Sequence, residues 1–199
     1  MMVTSRRPGA RPVIGAAPGR LELVRAFVNS LDIEAGTDEL GSPEALTAWL
    51  QARDLIGPGA TAATERDHHD ALTVREALRD VLLAHVGGRL SSSAPVSGLR
   101  SVAAGLAARP EIGDDGQVRL VPAGTGASAG LTALLLIAAE AEAGGTWRRL
   151  KVCSADDCRW AFYDRSPTRT GCWCTMAVCG SRAKSRAFRQ RAAGGRASA

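Results

Sequence analysis

The chain of 199 residues has a hydrophobic fraction of 45 % and a charged fraction of 23 %, which excludes an intrinsically disordered protein and fits one large domain or one domain with a small appendage. Aromatic residues make up only 4 %, so a core must be built mainly from Ala, Leu and Val, a composition that favours packed helices. Charge is distributed unevenly: residues 1–147 carry 13 Arg, no Lys and 17 acidic residues, net −4, whereas residues 148–191 carry 11 basic and 3 acidic residues, net +8. An acidic body with a basic end is the asymmetry expected when one end meets a polyanion.

Residues 1–19 are rich in Arg, Pro, Gly and Ala without periodicity, and are expected to form a disordered basic tail. No apolar stretch follows to make this a signal peptide. "LELVRAFVNSLDIE" carries apolar residues at 21, 23, 24, 27, 28 and 31, a helical stripe with Asn29 as a buried, satisfied polar residue inside it. "GSPEALTAWLQARDLIG" predicts a second helix with Ser42 as N-cap, Pro43 at its first position, Glu44 in its first turn and a stop at Gly57. "ATERDHHDALTVREALRDVLLAHVGG" predicts a longer one with its stripe at 71, 74, 78, 81 and 82 and a Gly-Gly stop. His68, His69 and His85 lack a second ligand pair and read as surface residues.

After the break "SSSAP", "VSGLRSVAAGLAARP" reads as a helix, and "EIGDDGQVRLVPAG" as a small hairpin turning at Asp115-Gly116. "GTGASAG" (Gly124 to Gly130) lacks the Gly-Lys-Ser/Thr of a phosphate loop and reads as the flexible start of the helix "ASAGLTALLLIAAEAEAGG". The longest apolar run, Leu131 to Ala139, is shorter than the roughly 20 residues a bilayer demands. No membrane partner and a cytoplasmic location are therefore expected. In that reducing compartment clustered cysteines read as metal ligands or redox thiols rather than disulfides.

The five cysteines follow the pattern Cys153-x4-Cys158-x13-Cys172-x-Cys174-x4-Cys179. Two x4 pairs, 153/158 and 174/179, have the symmetry of a four-thiolate structural zinc site, and such a set leaves no open position for a catalytic water. The alternatives are buried or redox-active free thiols, and Cys172 in place of Cys174 as a ligand. In a straight helix Cys174 and Cys179 would point about 140° apart, so the chain should turn between them, with Gly180 permitting the turn and Ser181 capping a helix that begins after the second ligand. On that helix Arg182, Arg186 and Arg189 fall within about 60° of one another, Ala183 and Ala187 form a narrow apolar strip, and Lys184 and Arg191 lie on the far side. Guanidinium groups bind phosphate bidentately and read guanine edges; Arg159, Arg165 and Arg169 add charge in the preceding loop. The competing reading is a merely solvated basic helix.

"LKVCSADDCRWAFYDRSPTRTGCWCTMAVCGSRAKSRAFRQR" resembles the CGNR zinc finger, through the C-x4-C pair, "FYDRS", "WC", "M", "CG" and "RAKSRAF". Upstream, "LELVRAFVNSLD", "LTAWL" and "VREALRDVLLA" are similar to the ABATE domain, which precedes this finger in bacterial stress-induced transcription regulators. The resemblance implies one structural zinc ion at Cys153, Cys158, Cys174 and Cys179, and a DNA-binding role. Two positions depart from the signature: Ser181 replaces its Asn, and Cys172 replaces an Arg before the Trp.

The expected fold is mostly α (α+β): a helical body with a small β-hairpin, then a four-cysteine zinc finger with a short basic helix. The segments are a tail at 1–19, the body at 20–146, the finger at 147–191 and a second disordered tail at 192–199. The expected function is a zinc-dependent, stress-responsive DNA-binding regulator, nucleoid-associated when bound. Arg182, Lys184, Arg186, Arg189, Arg159 and Arg169 are the candidate nucleic-acid contacts, and Trp173 packs under the site or against a base. The body would bind a small-molecule effector or a second copy of the chain. The rival function is a zinc–thiolate redox sensor or protein-interaction adaptor, with Cys172 as the redox candidate. No acid/base pair or nucleophile arrangement marks an enzyme.

Overall fold

The computed structural model describes residues 15–87 and 94–196; the expected tails at 1–14 and 197–199, and the Ser-rich break at 91–93, lie outside them. The fold is mostly helical, with three separate two-stranded antiparallel sheets among the described residues.

Helix α1 (Leu21–Val28) buries Leu21, Val24, Phe27 and Val28. It stops earlier than the apolar stripe predicts, because the chain turns at Asn29 into a short hairpin, β1 (Leu31–Asp32) with β2 (Thr37–Asp38). Leu31 belongs to that strand and not to the helical stripe. The Asn29 side chain is buried and satisfied: Nδ2 donates to the Ala161 carbonyl at 2.9 Å, and the Ala161 N–H donates to Oδ1 at 2.7 Å.

Helix α2 (Pro43–Gln51) opens with Ser42 accepting a hydrogen bond from the Ala45 N–H, as its sequence predicts. It ends at Gln51 and not at Gly57. Asp54 adopts φ +54°, which no helix allows, and Leu55 and Ile56 fold back into the core. Helix α3 (Glu65–Ala84) starts with a reciprocal capping box between Thr64 and Asp67 and buries Ala71, Val74, Leu78 and Leu82. Of the three histidines only His69 is exposed. His68 shares a hydrogen bond with the Leu40 carbonyl at 2.6 Å, and His85 shares one with the Leu150 carbonyl at 2.8 Å while meeting Trp147 edge-on.

Helix α4 (Ala94–Ala103) gives way to β3 (Ala108–Ile112), so three residues read as helical are strand. Strand β3 pairs with β4 (Val118–Pro122) around Asp115-Gly116, the expected hairpin. Helix α5 (Gly126–Ala143) is long and apolar enough to cross a bilayer by composition. Here it is the central core helix, with Ala127, Leu131, Leu134 and Ile137 buried.

A 3-10 turn (Trp147–Arg149) leads into β5 (Leu150–Val152), which pairs with β6 (Ala161–Tyr163). All six strand residues are buried, and Leu150, Val152, Ala161 and Tyr163 share one hydrophobic cluster with α1, α2, α3 and α5. The body's core therefore takes in the hairpin at the base of the cysteine module, while the cysteines form a separate cluster beside it. Residues 15–19, which composition places in the tail, are ordered against the body, and Gly15 lies beside β6. The Gly15 carbonyl accepts from the Tyr163 N–H at 2.7 Å, and Gly15 tolerates no side chain there, since an added Cβ would lie 2.9 Å from that of Phe162. A π-helical turn (Met176–Gly180) and α6 (Ser181–Arg196) complete the described residues, so the helix runs into the stretch read as a second tail.

Candidate metal centre and basic helix

Each half of the module presents its cysteines from a backbone turn. Cys153 follows directly on β5, its N–H bonded to the Trp160 carbonyl at 2.9 Å. The chain then reverses so that the N–H groups of Cys158 and Arg159 both reach the Ala155 carbonyl, with Arg159 at φ +49°. The second pair is brought together differently. The chain widens into a π turn, in which the Gly180 N–H bonds to the Thr175 carbonyl five residues back at 3.1 Å. An i→i+5 turn closes a five-residue separation that an α-helix would splay. Spacing alone puts the turn before the helix, with Ser181 as its cap. Helix α6 does begin after Cys179, as expected, but a π turn inside the cysteine pair leads straight into it, so the cap lies before that turn and Ser181 is not it. Thr175 is the N-cap, accepting from the Val178 N–H at 3.2 Å, while Ser181 is already helical and its hydroxyl donates to the Met176 carbonyl. Gly180 is not needed for its backbone angle; the tip of Met176 lies 2.8 Å from where a Cβ would stand.

These turns gather four sulfurs. The Sγ atoms of Cys153, Cys158, Cys174 and Cys179 all lie within 4.8 Å of one another, and the 158–174 and 174–179 separations are both 3.6 Å. A tetrahedral Zn2+ with bonds of about 2.3 Å sets its sulfurs roughly 3.8 Å apart. Spacing, burial and donor chemistry therefore fit one structural ion. Without a cation the arrangement is unfavourable for thiolates: the neighbouring Cys153 and Cys158 push the Cys174 thiol far above its usual range, and burial pushes Cys179 up to about 12. A bound divalent cation reverses that balance and deprotonates its ligands. Cys172 stands outside the four-sulfur set and is half-buried; its carbonyl accepts from the Ser154 N–H at 2.9 Å, tying the two halves together. Trp173 packs against the cysteine cluster from one side. Trp160, which no sequence pattern singles out, does the same.

Two sets of contacts fix the module in place. On the outer side of β6, Asn29 and Arg25 both bond to the Ala161 carbonyl, and Arg79 bonds to the carbonyls of Val28 and Arg159. Underneath, Lys151 and Asp164 form an ion pair at 2.8 Å with side chains only 2 % and 4 % exposed. Lys151 also donates to the carbonyls of Arg169 and Gly171, while Asp164 accepts from the N–H groups of Ser166 and Gly171. The pair thus pins both ends of the loop that runs from the strand to the second cysteine pair. Burial raises the Asp164 carboxyl, but the hydrogen bonds from Lys151, Ser166 and Gly171 outweigh it and hold the group well below the usual carboxylate range.

The predicted cations divide by environment. Arg182, Lys184, Arg186 and Arg189 are exposed on α6, whereas Ala183 and Ala187 are half-covered. Arg182, Arg186 and Arg189 rim a shallow groove of about 420 Å³ together with Ser181, Ser185 and Val178. Arg182 pairs with Glu34 at 2.8 Å, and Arg186 with Asp157 at 3.7 Å. Arg169 is exposed on the loop. Arg159 is half-buried and paired with Asp156, so it faces its own turn more than solvent.

Two family models match the chain in this order: the ABATE domain, "Putative stress-induced transcription regulator", over residues 21–143, and the CGNR zinc finger over residues 149–192. No curated protein matches it. The first match spans more than half of the sequence, and the chain belongs to the ABATE family.

Proposed function

We propose that this chain is a zinc-dependent, DNA-binding regulator of transcription that responds to stress. Cys153, Cys158, Cys174 and Cys179 hold one structural Zn2+, and α6 presents Arg182, Arg186 and Arg189 to duplex DNA. The observation carrying this reading is the exposed three-arginine face of α6, rooted by its first turn in the cysteine cluster. The ion would supply cross-linking and charge neutralisation to four sulfurs, three of them on buried cysteines and one on the half-buried Cys174; it holds no place for substrate. The chain's own residues do the rest. The small side chains of Ser181 and Ser185 let a phosphate backbone approach the helix, while the arginine forks bind its oxygens. Lys184 and Arg169 add phosphate contacts further out, and Trp173 supports the cluster.

The body acts as a platform that takes up an effector or a second copy of the chain. The matched families are of regulatory and zinc-finger type and not enzymes. A regulator of this kind works in the cytoplasm, on the nucleoid.

Binding of the zinc-loaded chain to random duplex DNA over a salt series tests the reading. An Arg182/Arg186/Arg189→Ala variant should flatten the salt dependence by roughly 0.9 for each phosphate no longer neutralised. Absence of binding by the wild type at low salt would overturn it. A second reading, a zinc–thiolate redox sensor or protein-docking adaptor, draws on Cys172, half-buried and two residues before Cys174 in the sequence. Peroxide-driven zinc release with loss of partner binding supports it. A Cys172→Ser variant with unchanged peroxide response removes Cys172 from any switch.

A further inference from the structure

The basic helix meets the acidic body through an ion pair. Glu34 sits in the turn between β1 and β2, and its carboxylate accepts from Arg182 Nη1 at 2.8 Å across a sequence separation of 148 residues. The turn is held rigidly. Asp32 accepts from the Ala35 N–H through its carboxylate and from the Gly36 N–H through its carbonyl, and Gly36 takes the φ of +66° that closes the reversal. Behind it, Asp38 receives a two-pronged hydrogen bond from the buried Arg75, at 2.7 and 2.9 Å. Glu34 is therefore presented to α6 by a fixed support, not carried there on a loose loop. Arg182 remains 44 % exposed, so the contact leaves one side of the guanidinium open to solvent.

A carboxylate and a phosphate oxygen compete for the same guanidinium fork. Resting on the reading of α6 as a DNA contact, we infer that Glu34 is an internal competitor of DNA, an electrostatic latch by which the body withholds Arg182 from the phosphate backbone. Asp157 stands in the same relation to Arg186, but at 3.7 Å and from within the cysteine module itself. The Glu34 contact, by contrast, links α6 to the body. An effector or a second copy of the chain that displaces the 31–38 hairpin thereby adds one phosphate contact to the complex. The body gains a route to control the finger without changing the zinc site.

The test uses the zinc-loaded full chain, random duplex DNA and a salt series, with Glu34→Gln, Arg182→Ala and the double variant. Glu34→Gln should tighten binding about two- to fivefold at low salt, the range expected for one exposed pair. It should also steepen the dependence of log K on log salt by about 0.9, one additional phosphate. In the Arg182→Ala background the same substitution should have little effect, because the latch is then missing its other half. An Arg189→Ala background should preserve the effect. Equal tightening in the presence and absence of Arg182 would overturn the latch in favour of a general change in charge, and weaker binding by Glu34→Gln would show that Glu34 orients Arg182 for DNA. If no protein binds DNA at low salt, the DNA reading itself falls and the latch with it. Zinc content and thermal melting of each variant exclude misfolding as the cause.

Discussion

Two hairpins of similar size have opposite fates in this protein. In β3–β4 the residues Pro110, Ile112, Val118 and Leu120 oppose one another on one face, yet Ile112, Val118 and Leu120 are exposed. In β5–β6 every residue is buried, and the strands serve both as part of the body's core and as the base from which Cys153 springs. The first is an arm that the core does without. The second joins body and metal centre into one structure, so the finger is not a bead on a string. What separates them is not strand propensity but what lies on each face: α1 and α3 cover β5–β6, and Asn29, Arg25 and Arg79 occupy the outward carbonyls at its edge.

The most severe way to break the contrast is to remove the metal. Structural zinc in finger peptides supplies on the order of 10–16 kcal/mol of apparent binding energy, so chelation should collapse the turns that hold 153/158 and 174/179. Because β5 and β6 share the body's core, body stability should fall too, visible as a lowered melting temperature with loss of near-ultraviolet signal from Trp160 and Trp173. A body that melts unchanged after chelation would show that the two parts fold independently.

Lys151→Met should cost about 3–5 kcal/mol, since it leaves the Asp164 carboxylate buried and unpaired. Denaturant unfolding at neutral pH measures this. The Asp164 carboxyl is depressed in the folded state, so its contribution is fully present above the ordinary carboxylate pKa of about 3.9 and fades as pH falls toward the folded value. Wild type should therefore lose part of its advantage over Asp164→Asn when melting is followed from pH 6 downward through acid. An advantage that grew on acidification would contradict the assignment.

A matched pair of substitutions sharpens the comparison directly. Leu150 is 0 % exposed and Leu120 is 56 % exposed. Leu150→Ala should destabilise by about 2–5 kcal/mol, the cost of a core cavity, whereas Leu120→Ala should stay within about 0.5 kcal/mol. Equal losses would mean that β3–β4 is covered in solution. Between these lies Asn29→Ala, which leaves the buried Ala161 N–H without its acceptor and its carbonyl with only the longer Arg25 bond, and should cost about 1–3 kcal/mol.

Much of this protein can be read without coordinates where the signal is local. Ser42 and Pro43 start α2, the apolar stripe from Ala71 to Leu82 makes α3, Asp115-Gly116 turns the exposed hairpin, and the two C-x4-C pairs mark the ligand set. Each depends on contacts a few residues apart, so spacing carries the information. Contacts between distant segments were decided only by the tertiary structure. The apolar stripe of α1 runs on to Leu31, but Asn29 ends the helix because its side chain serves the backbone of Ala161, 132 residues away. Residues 150–152 and 161–163 form a hairpin because the cysteine turn between them is closed and the body supplies their cover. Cys174 and Cys179, which a period of 3.6 would splay apart, meet because a π turn brings their sulfurs to 3.6 Å. Likewise, Arg182 reads in sequence as one of three equivalent cations, and only the fold sets Glu34 against it. Local propensity and spacing determine which residues can act; long-range burial and hydrogen bonding decide which of them meet.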